Sequence, residues 1–238
     1  MALQELQTAK PLIPPKPTLE SLRPAAAGCT ACPLHLTGTQ TVFGEGLATS
    51  RAIFVGEQPG DAEDKAGRPF VGPAGKLLDR ALEEAGIDRK LVYVTNVVKH
   101  FKWIARGKRR LHEKPNAREI AACKPWLLAE LQVIHPDVLV CLGATAAQAL
   151  LGRSFKVTQM RGHILEHELA PAVMATVHPS SILRAPDDET RHRELELFIR
   201  DLRGIAPLLQ HQRRPPQATQ AHLGAEEHAG LVPDRGTR

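Results

Sequence analysis

The sequence predicts a single-domain, doubly wound α/β fold with a mostly parallel four-stranded sheet flanked by helices. Three observations predict this fold. Four short apolar runs have the length and composition of buried parallel strands. Amphipathic segments long enough for helices alternate with these runs. Hydrophobic residues make up 42% and charged residues 24% of the 238 residues, which is a globular composition and a length sufficient for one buried core.

Strands and helices are predicted to alternate along the chain. The four strands are expected at 51–57, 91–98, 136–143 and 172–178. The helices are expected at 75–85, 117–133, 144–151 and 189–202. In the first helix, apolar residues fall on one face and form a stripe that can cover a sheet; they are Leu77, Leu78, Ala81, Leu82 and Ala85.

The two ends of the chain differ in composition from the middle. Residues 1–25 carry five prolines and lack apolar periodicity, while residues 207–238 are rich in Gln, His, Pro and Gly. We therefore expect disordered tails at 1–25 and 207–238 and a folded domain over 26–206.

Charge and hydropathy limit the classes of partner. The formal charge of +5 and pI near 9.2 are compatible with an acidic partner such as nucleic acid. No apolar run approaches the roughly 18–20 residues that cross a bilayer, so no membrane partner is expected. The first residues lack the apolar core and cleavage site of a secretory signal, which favours a cytoplasmic location. No coiled coil or exposed strand edge is evident, so we expect a monomer.

Two of the four cysteines are spaced as a metal-binding pair. Cys29 and Cys32 form a Cys-x-x-Cys motif, and a reducing compartment disfavours disulfides. Zinc, an iron–sulfur cluster and redox exchange are all compatible with this motif alone.

Residues with chemical potential follow the predicted strands. Ligands of doubly wound folds bind where the carboxyl ends of the strands meet the following loops. The first strand is followed by GEQPGD, the second ends at Asn96 to His100, the third is followed by GAT, and the fourth by HPSS. We therefore expect these segments to meet at one edge of the sheet.

Three side chains at this edge suit recognition of a nucleobase. Phe70, in the glycine-rich segment GRPFVGPAGK, can stack on a base, although it could instead fill the core. Asn96 offers both a donor and an acceptor to a base edge, or it could cap a turn. The imidazole of His178 can donate to a leaving group that gains negative charge.

A basic segment lies between the second strand and the following helix. Residues 99–118 contain eight Lys or Arg against one Glu, with Phe101 and Trp103 among them. Cations interleaved with aromatic rings suit single-stranded nucleic acid, whereas a solvated charged loop is the alternative. Within this segment the neighbouring cations of His112 favour a neutral, nucleophilic imidazole.

These motifs together resemble one known family. The segments GEQPGDAED, GRPFVGPAGKLLDRAL, YVTNVVKHFK, GKRRLHEKP, ACKPWL, LGATAA and TVHPSS are similar to those of the UdgX subfamily of family-4-type uracil-DNA glycosylases. The resemblance covers about residues 28–205. Its most specific feature is KRRxH in the basic segment.

The resemblance implies an activity and roles for particular residues. It implies excision of uracil from DNA and a stable bond between His112 and C1′ of the sugar. Single strands are the expected substrate, because reading a base requires it to leave its stack and a single strand avoids most of the unpairing cost. Glu57 and Gln58 would serve the sugar and the histidine, while Phe70, Asn96 and His178 would stack on uracil, read its edge and support its O2. The other implied contacts lie in the same motifs, with Gly60, Asp61 and Ser180 at the substrate and Lys108, Arg109 and Arg110 in the DNA-binding loop.

The resemblance also implies a [4Fe-4S] cluster. Its expected ligands are Cys29, Cys32, His100 and Cys123, with His100 standing where ordinary family-4 enzymes have a cysteine. Cys141 is the alternative fourth ligand, although its apolar strand suits a buried free thiol. Other functions remain compatible with the sequence: a turnover uracil-DNA glycosylase, a non-catalytic iron–sulfur DNA-binding module and a zinc-bound scaffold.

Overall fold

The centre of the molecule is a five-stranded sheet whose strands are, in spatial order, β2 (Val92–Asn96), β1 (Ala52–Gly56), β5 (Val138–Leu142), β7 (Ala170–Thr176) and β6 (Ile164–His167). A computed structural model describes residues 8–210 of the chain. The four predicted strands are confirmed as β1 (Ala52–Gly56), β2 (Val92–Asn96), β5 (Val138–Leu142) and β7 (Ala170–Thr176), and they are mutually parallel. The expected count of four strands is wrong by one, because β6 (Ile164–His167) adds an antiparallel edge strand beside β7.

A separate two-stranded hairpin occupies the basic segment. It consists of β3 (Trp103–Arg106) and β4 (Arg109–His112), joined by a turn in which Gly107 has φ +57°. Because this positive φ lies in the left-handed region, glycine makes the turn without steric strain. The segment expected to be a loop is therefore an ordered ribbon that ends at His112.

Helices cover both faces of the sheet. They are α1 (Leu19–Ala27), α2 (Asp61–Ala66), α3 (Pro73–Glu84), α4 (Ala117–Ile134), α5 (Ala144–Leu151), α6 (Val157–Met160), α7 (Pro179–Leu183) and α8 (Asp188–Gln210). The apolar stripe predicted for α3 packs against β1, β2, β5 and α8 in one hydrophobic cluster. A second cluster on the other face combines α1, α4 and α5 with the cysteines. None of the described helices is long and apolar enough to cross a membrane.

The expected boundaries of the domain fall inside helices. Residue 25 lies in α1, whose Leu19 and Leu22 are buried in the core, so the described part of the expected N-terminal tail belongs to the fold. Thr18 caps this helix. The proline-rich composition of the segment did not indicate a helix there. Residue 206 lies in α8, where Leu209 is buried. Residues 1–7 and 211–238 of the expected tails lie outside the described range.

Candidate active site

The carboxyl ends of the parallel strands surround a cavity of about 850 Å³. Its walls come from the loops after β1, β2, β5 and β7 and from the end of the hairpin. Eight of the nine residues expected at the substrate or in catalysis line it: Glu57, Gln58, Gly60, Phe70, Asn96, His112, His178 and Ser180. The carboxyl ends of the parallel strands thus bring described side chains that lie far apart in the sequence together at one site.

Three of these side chains converge over Gly56, the last residue of β1. A Cβ at Gly56 would lie 2.4 Å from Asn96 Oδ1, 2.9 Å from Phe70 Cζ and 3.4 Å from His178 Nε2. The Phe70 and His178 rings are stacked, with centroids 6.1 Å apart and an interplanar angle of 27°. An aromatic face, a carboxamide and an imidazole nitrogen therefore border one small space, as recognition of a planar base requires.

Alanine at Gly56 is expected to damage this wall of the cavity. The added Cβ would meet Asn96 Oδ1 and the Phe70 ring at distances that real Cβ atoms do not tolerate, so both side chains must move. Losing one well-placed hydrogen bond to a base is expected to lower the second-order rate constant of the uracil excision that the sequence resemblance implies by about tenfold. The measurement is uracil release at limiting substrate. As a control, Gly86→Ala disturbs a turn in which an added Cβ meets nothing within 4 Å, and uracil release should stay near wild type.

The backbone at Phe70 adopts an unusual conformation. Its φ of +56° is in the left-handed region, which is strained for an aromatic residue. Gly75, in the first turn of α3, packs against the Phe70 carbonyl so closely that a Cβ there would lie only 1.6 Å from its oxygen. A glycine in α3 therefore allows the strained turn that carries the Phe70 ring to the cavity.

The hydrogen bonds of His178 identify its tautomer. The backbone N–H of Ser180 donates to His178 Nδ1 at 3.1 Å, so Nδ1 carries a lone pair. Burial lowers the pKa of His178 to about 4, with help from the nearby Arg184 and His112. A neutral imidazole with Nδ1 as acceptor carries its proton on Nε2. The nitrogen that borders the Gly56 space is therefore a neutral donor near pH 7.

The lowered pKa of His178 also predicts how stability depends on pH. Between about 4 and the ordinary value of 6.5, the unfolded chain binds a proton that the folded chain does not. This one group therefore makes the free energy of unfolding fall by about 1.4 kcal/mol for each pH unit as pH decreases through that window. Urea unfolding at several pH values should show a shallower slope for His178→Asn than for wild type. Equal slopes would contradict the neutral assignment.

His112 lies at the end of β4, beside two residues of the loop after β1. Its side chain is 49% exposed, and its Nε2 lies 3.5 Å from Glu57 Oε1 and 2.9 Å from Gln58 Nε2. Lys102 N–H donates to Gln58 Oε1 at 3.0 Å, which fixes the orientation of the Gln58 amide. Gln58 therefore presents its amide nitrogen to His112, and a hydrogen bond between the two requires a lone pair on His112 Nε2.

Glu57 is held from its other side by a residue that sequence reasoning did not assign. The Thr145 hydroxyl, in the first turn of α5, donates to Glu57 Oε2. Glu57 Oε1 is the oxygen that faces His112. The sequence did contain a signal, because Thr145 belongs to the GAT segment that follows a predicted strand. Lys114 and Arg184 also line the cavity and were not singled out.

Two further predicted substrate residues have structural contacts. Gly60 lines the cavity, and its N–H donates to Glu63 at 3.1 Å at the start of α2. Asp61 is not among the described lining residues, since its carboxylate pairs with Lys65 at 2.6 Å and with Arg110 at 2.5 Å. Ser180 lines the cavity and lies 2.8 Å from His178 Nδ1.

The three cations of the predicted DNA-binding loop have different surroundings. Lys108 and Arg109 are exposed at the tip of the hairpin. Arg110 is half-buried, pairs with Asp61 and Asp64, and lies over the rings of Phe101 and Trp103. The Arg110 guanidinium thus ties the hairpin to α2, whereas Lys108 and Arg109 face solvent.

Three cysteines lie near one another beneath the sheet. Cys29, Cys32 and Cys123 are buried and free. Burial raises the pKa of Cys123 to about 12, and the charges of Cys32 and Cys29 contribute to the increase. Trp126 Nε1–H donates to Cys29 Sγ at 3.3 Å, and Lys99 N–H donates to Cys123 Sγ at 3.2 Å. Across residues 8–210, no group of three or more His, Cys, Asp or Glu side chains has a geometry ready to hold a metal ion.

The two candidates for a fourth ligand differ in their surroundings. Burial alone raises the pKa of Cys141 to about 12, without a contribution from the other three thiols, and Cys141 lies within the sheet beside Val55 and Ala175. His100 Nε2 lies 2.9 Å from the Thr41 hydroxyl, which itself donates to the Ala26 carbonyl at 3.0 Å. His100 must therefore donate through Nε2–H, which leaves the lone pair on Nδ1.

The chain is similar to known proteins over most of its length. The model of the uracil DNA glycosylase superfamily matches residues 43–203. A type-4 uracil-DNA glycosylase of Thermotoga maritima is 46% identical over 169 residues, covering 71% of this chain and 84% of the relative. A type-4 uracil-DNA glycosylase of Pyrobaculum aerophilum is 35% identical over 175 residues, covering 71% and 86%. The chain therefore belongs to the uracil-DNA glycosylase superfamily and, within it, to the type-4 group.

Proposed function

We propose that this protein excises uracil from single-stranded DNA and then bonds to the remaining sugar through His112. The type-4 relatives, named as uracil-DNA glycosylases, support the excision step. One observation carries the capture step. His112 Nε2, which lies 2.9 Å from the Gln58 amide nitrogen, stands beside the Glu57 carboxylate at the cavity that also holds Phe70, Asn96 and His178.

Uracil fits the donors and acceptors bordering Gly56. The Asn96 carboxamide can accept from uracil N3–H and donate to O4, and cytosine presents the reverse pattern at these positions. His178 Nε2–H can donate to O2, where negative charge develops as the base leaves. The hydrogen bond from Nε2–H becomes stronger as negative charge grows on the leaving base. Because His178 is neutral, it does not attract anions before the base begins to leave.

The bond changes balance without a metal or an oxidant. The C1′–N1 bond breaks, its electron pair leaves with uracil as an anion, and C1′ becomes cationic. The Glu57 carboxylate stabilises that cation. The lone pair of His112 Nε2 then forms the new bond to C1′. The proton on Nδ1 departs to solvent, leaving a neutral N-alkylated imidazole, and uracil is protonated by water.

Gln58 can release His112 for this reaction without losing hydrogen bonds. Its amide nitrogen has two hydrogens but three acceptors within reach: His112 Nε2 at 2.9 Å, the Glu113 carbonyl at 2.9 Å and the Lys102 carbonyl at 3.2 Å. When His112 turns toward C1′, both hydrogens keep an acceptor. Gln58 therefore selects the nucleophilic tautomer and does not have to be desolvated when His112 departs.

The product should persist because its imidazole is a poor leaving group. Nucleophilic catalysis turns over only when a second step releases the intermediate. Glu57 is the carboxylate next to His112, and its other oxygen is held by Thr145. A turnover glycosylase, in which His112 only contacts phosphate, is the competing function.

We also propose that Cys29, Cys32, Cys123 and His100 hold a [4Fe-4S] cluster. Three clustered thiols, two of which receive N–H bonds, and an imidazole whose Nε2–H is bonded to Thr41 match the donors of such a site. When bound, the cluster would tie the segment at residues 29–32 to β2 and α4, a structural role, because the excision transfers no net electrons.

The fourth ligand can be identified by replacing each candidate with alanine. His100→Ala is expected to lose most of the visible absorbance of the cluster, whereas Cys141→Ala should retain it, because Cys141 lies within the sheet between Val55 and Ala175. The measurement is iron content and visible absorbance per protein after purification without oxygen. Cys123→Ala serves as a positive control for loss. Retention by His100→Ala together with loss in Cys141→Ala would contradict the assignment.

A denaturing gel tests the proposed function directly. Wild-type protein mixed with single-stranded DNA containing one uracil should give a band of increased mass that survives SDS and heating. The same sequence with thymine should give none. Release of uracil without this band would support the turnover alternative, while no release from any uracil substrate would reject both.

A further inference from the structure

A second groove adjoins the candidate active site. It has a volume of about 410 Å³ and lies between α4 and α5. Lys114 and Thr145 line both this groove and the cavity, so the two spaces are continuous. Thr145 is the residue that holds Glu57, which places the groove directly beside the reacting position. We name it the α4–α5 groove.

The chemistry of the α4–α5 groove combines an apolar surface with a cationic rim. Its walls are formed mostly by small apolar groups: Pro115, Ala117, Ile120, Ala121 and Ala149. Lys114 and Arg153 are exposed, and neither forms an ion pair with a described residue. No Asp or Glu is among the described residues that line the groove. A planar apolar group attached to an anion complements such a surface.

A proline in α4 leaves one carbonyl of this helix without its usual donor. Pro125 lies inside the helix and has no N–H, so the carbonyl of Ala121 lacks the donor that an α-helix normally supplies four residues later. Ala121 is exposed and lines the groove. A carbonyl without its helical donor suits the N–H groups on the edge of a nucleobase.

We propose that the α4–α5 groove binds the nucleobase next to the excised uracil in the same single strand. Uracil occupies the cavity, the neighbouring base packs on Ala121 and Ala149, and the phosphate between the two nucleotides lies beside Lys114. The inference rests on the proposed function, because the position of uracil defines its neighbour. It makes the substrate at least a dinucleotide and not an isolated deoxyuridine.

This site also gives a physical reason for selecting single strands. A base in a duplex must lose its pairing and stacking, which costs a few kcal/mol, before it can enter a protein groove. In a single strand the neighbouring base is already unpaired. If two adjacent bases bind in separate spaces, a duplex must lose pairing and stacking at two positions instead of one. Duplex substrates are therefore disfavoured more strongly.

The experiment compares single-stranded oligonucleotides that differ only beside the uracil. One has normal bases on both sides, one has an abasic spacer on the 5′ side, and one has the spacer on the 3′ side. The flank ratio is the second-order rate constant of uracil release with the normal neighbour divided by that with the spacer. For wild type we expect a flank ratio of about ten on one of the two sides, as expected for burial of one base.

Ala121→Glu and Gln132→Glu make the comparison specific to the groove. Ala121→Glu puts a carboxylate where the base would pack, so the flank ratio should fall to near one. Gln132→Glu adds the same charge at an exposed position of the same helix that does not line the groove, and it should keep the wild-type ratio. Simple repulsion of phosphates by the new carboxylate would slow all three oligonucleotides equally and leave the ratio unchanged.

The outcomes separate this inference from the proposed function. Uracil release with a flank ratio of one on both sides in wild type would overturn the groove but leave the excision function intact. A wild-type ratio that persists in Ala121→Glu would also overturn it. No release from any oligonucleotide would reject the proposed function and the groove together.

Discussion

Replacing His112 by glycine is expected to abolish the covalent protein–DNA product while uracil release continues. The imidazole is the only part of His112 that the capture step uses, and the pairing of His112 with Trp103 in the hairpin is made by the backbone. Gln58 keeps the Lys102 and Glu113 carbonyls as acceptors. Glycine also opens space through which water can reach C1′. The band on the denaturing gel should fall from stoichiometric to undetectable, and abasic product should accumulate over several turnovers.

Two further variants distinguish the loss of the nucleophile from the space that glycine opens for water. His112→Gln retains a polar side chain that can bond Gln58 but cannot attack C1′, so it should lose the band without gaining efficient turnover. His163→Gly removes an exposed histidine that does not line the cavity and should behave as wild type. If His112→Gly still formed the band, another nucleophile would be responsible, and peptide mapping of the adduct would identify it.

The fold was predictable where burial controls the sequence pattern. β1, β2 and β5 are buried along their length and β7 at every residue except Pro171, so each appears as a mostly apolar run. β6 and the hairpin were not predicted, because their strands alternate in exposure or are mostly exposed and carry charges. The pairing of β3 with β4 depends on the Gly107 turn and on Arg110 reaching Asp61 and Asp64, contacts that no local pattern reveals.

The candidate site was predictable in its location but not in its supporting contacts. Glu57, Asn96 and His178 follow directly from the rule for strand ends. The rule could not supply the partners that determine their chemistry. The bond from Thr145 to Glu57 joins segments that are far apart in the sequence. The bond that fixes the tautomer of His178 forms where the chain turns back on itself at Ser180. Both contacts depend on distances of a few ångströms. The ion pairs of Arg110 with Asp61 and Asp64 were also not predictable, because a sequence shows the charge of a guanidinium and not its partners.

A buried ion pair joins the wall of the cavity at Asn96 to Cys123. Lys99 Nζ donates to Glu130 Oε2 at 2.5 Å and to the Asn96 carbonyl at 2.9 Å, while Lys99 N–H donates to Cys123 Sγ at 3.2 Å. Both side chains of the pair are almost fully inaccessible, with 1% and 0% exposure. Glu130 also accepts from Tyr93, Thr95 and Gly44. Lys99 is therefore a positioning residue for Asn96 as well as the counter-charge of Glu130.

Lys99→Met is expected to lower the free energy of unfolding by about 3–5 kcal/mol, because it leaves a buried carboxylate without its cation. Arg80→Met, which breaks the exposed pair with Glu84, should lower it by less than about 1 kcal/mol. Urea unfolding measures both.

Lys99→Met combined with Glu130→Gln removes the unpaired charge and should recover part of the stability. The Asn96 carbonyl still lacks its donor in that double variant, so uracil release should remain slower than wild type even where the protein is fully folded. Equal stability of Lys99→Met and Arg80→Met would contradict the role of the pair, and full recovery of excision in the double variant would contradict the positioning of Asn96.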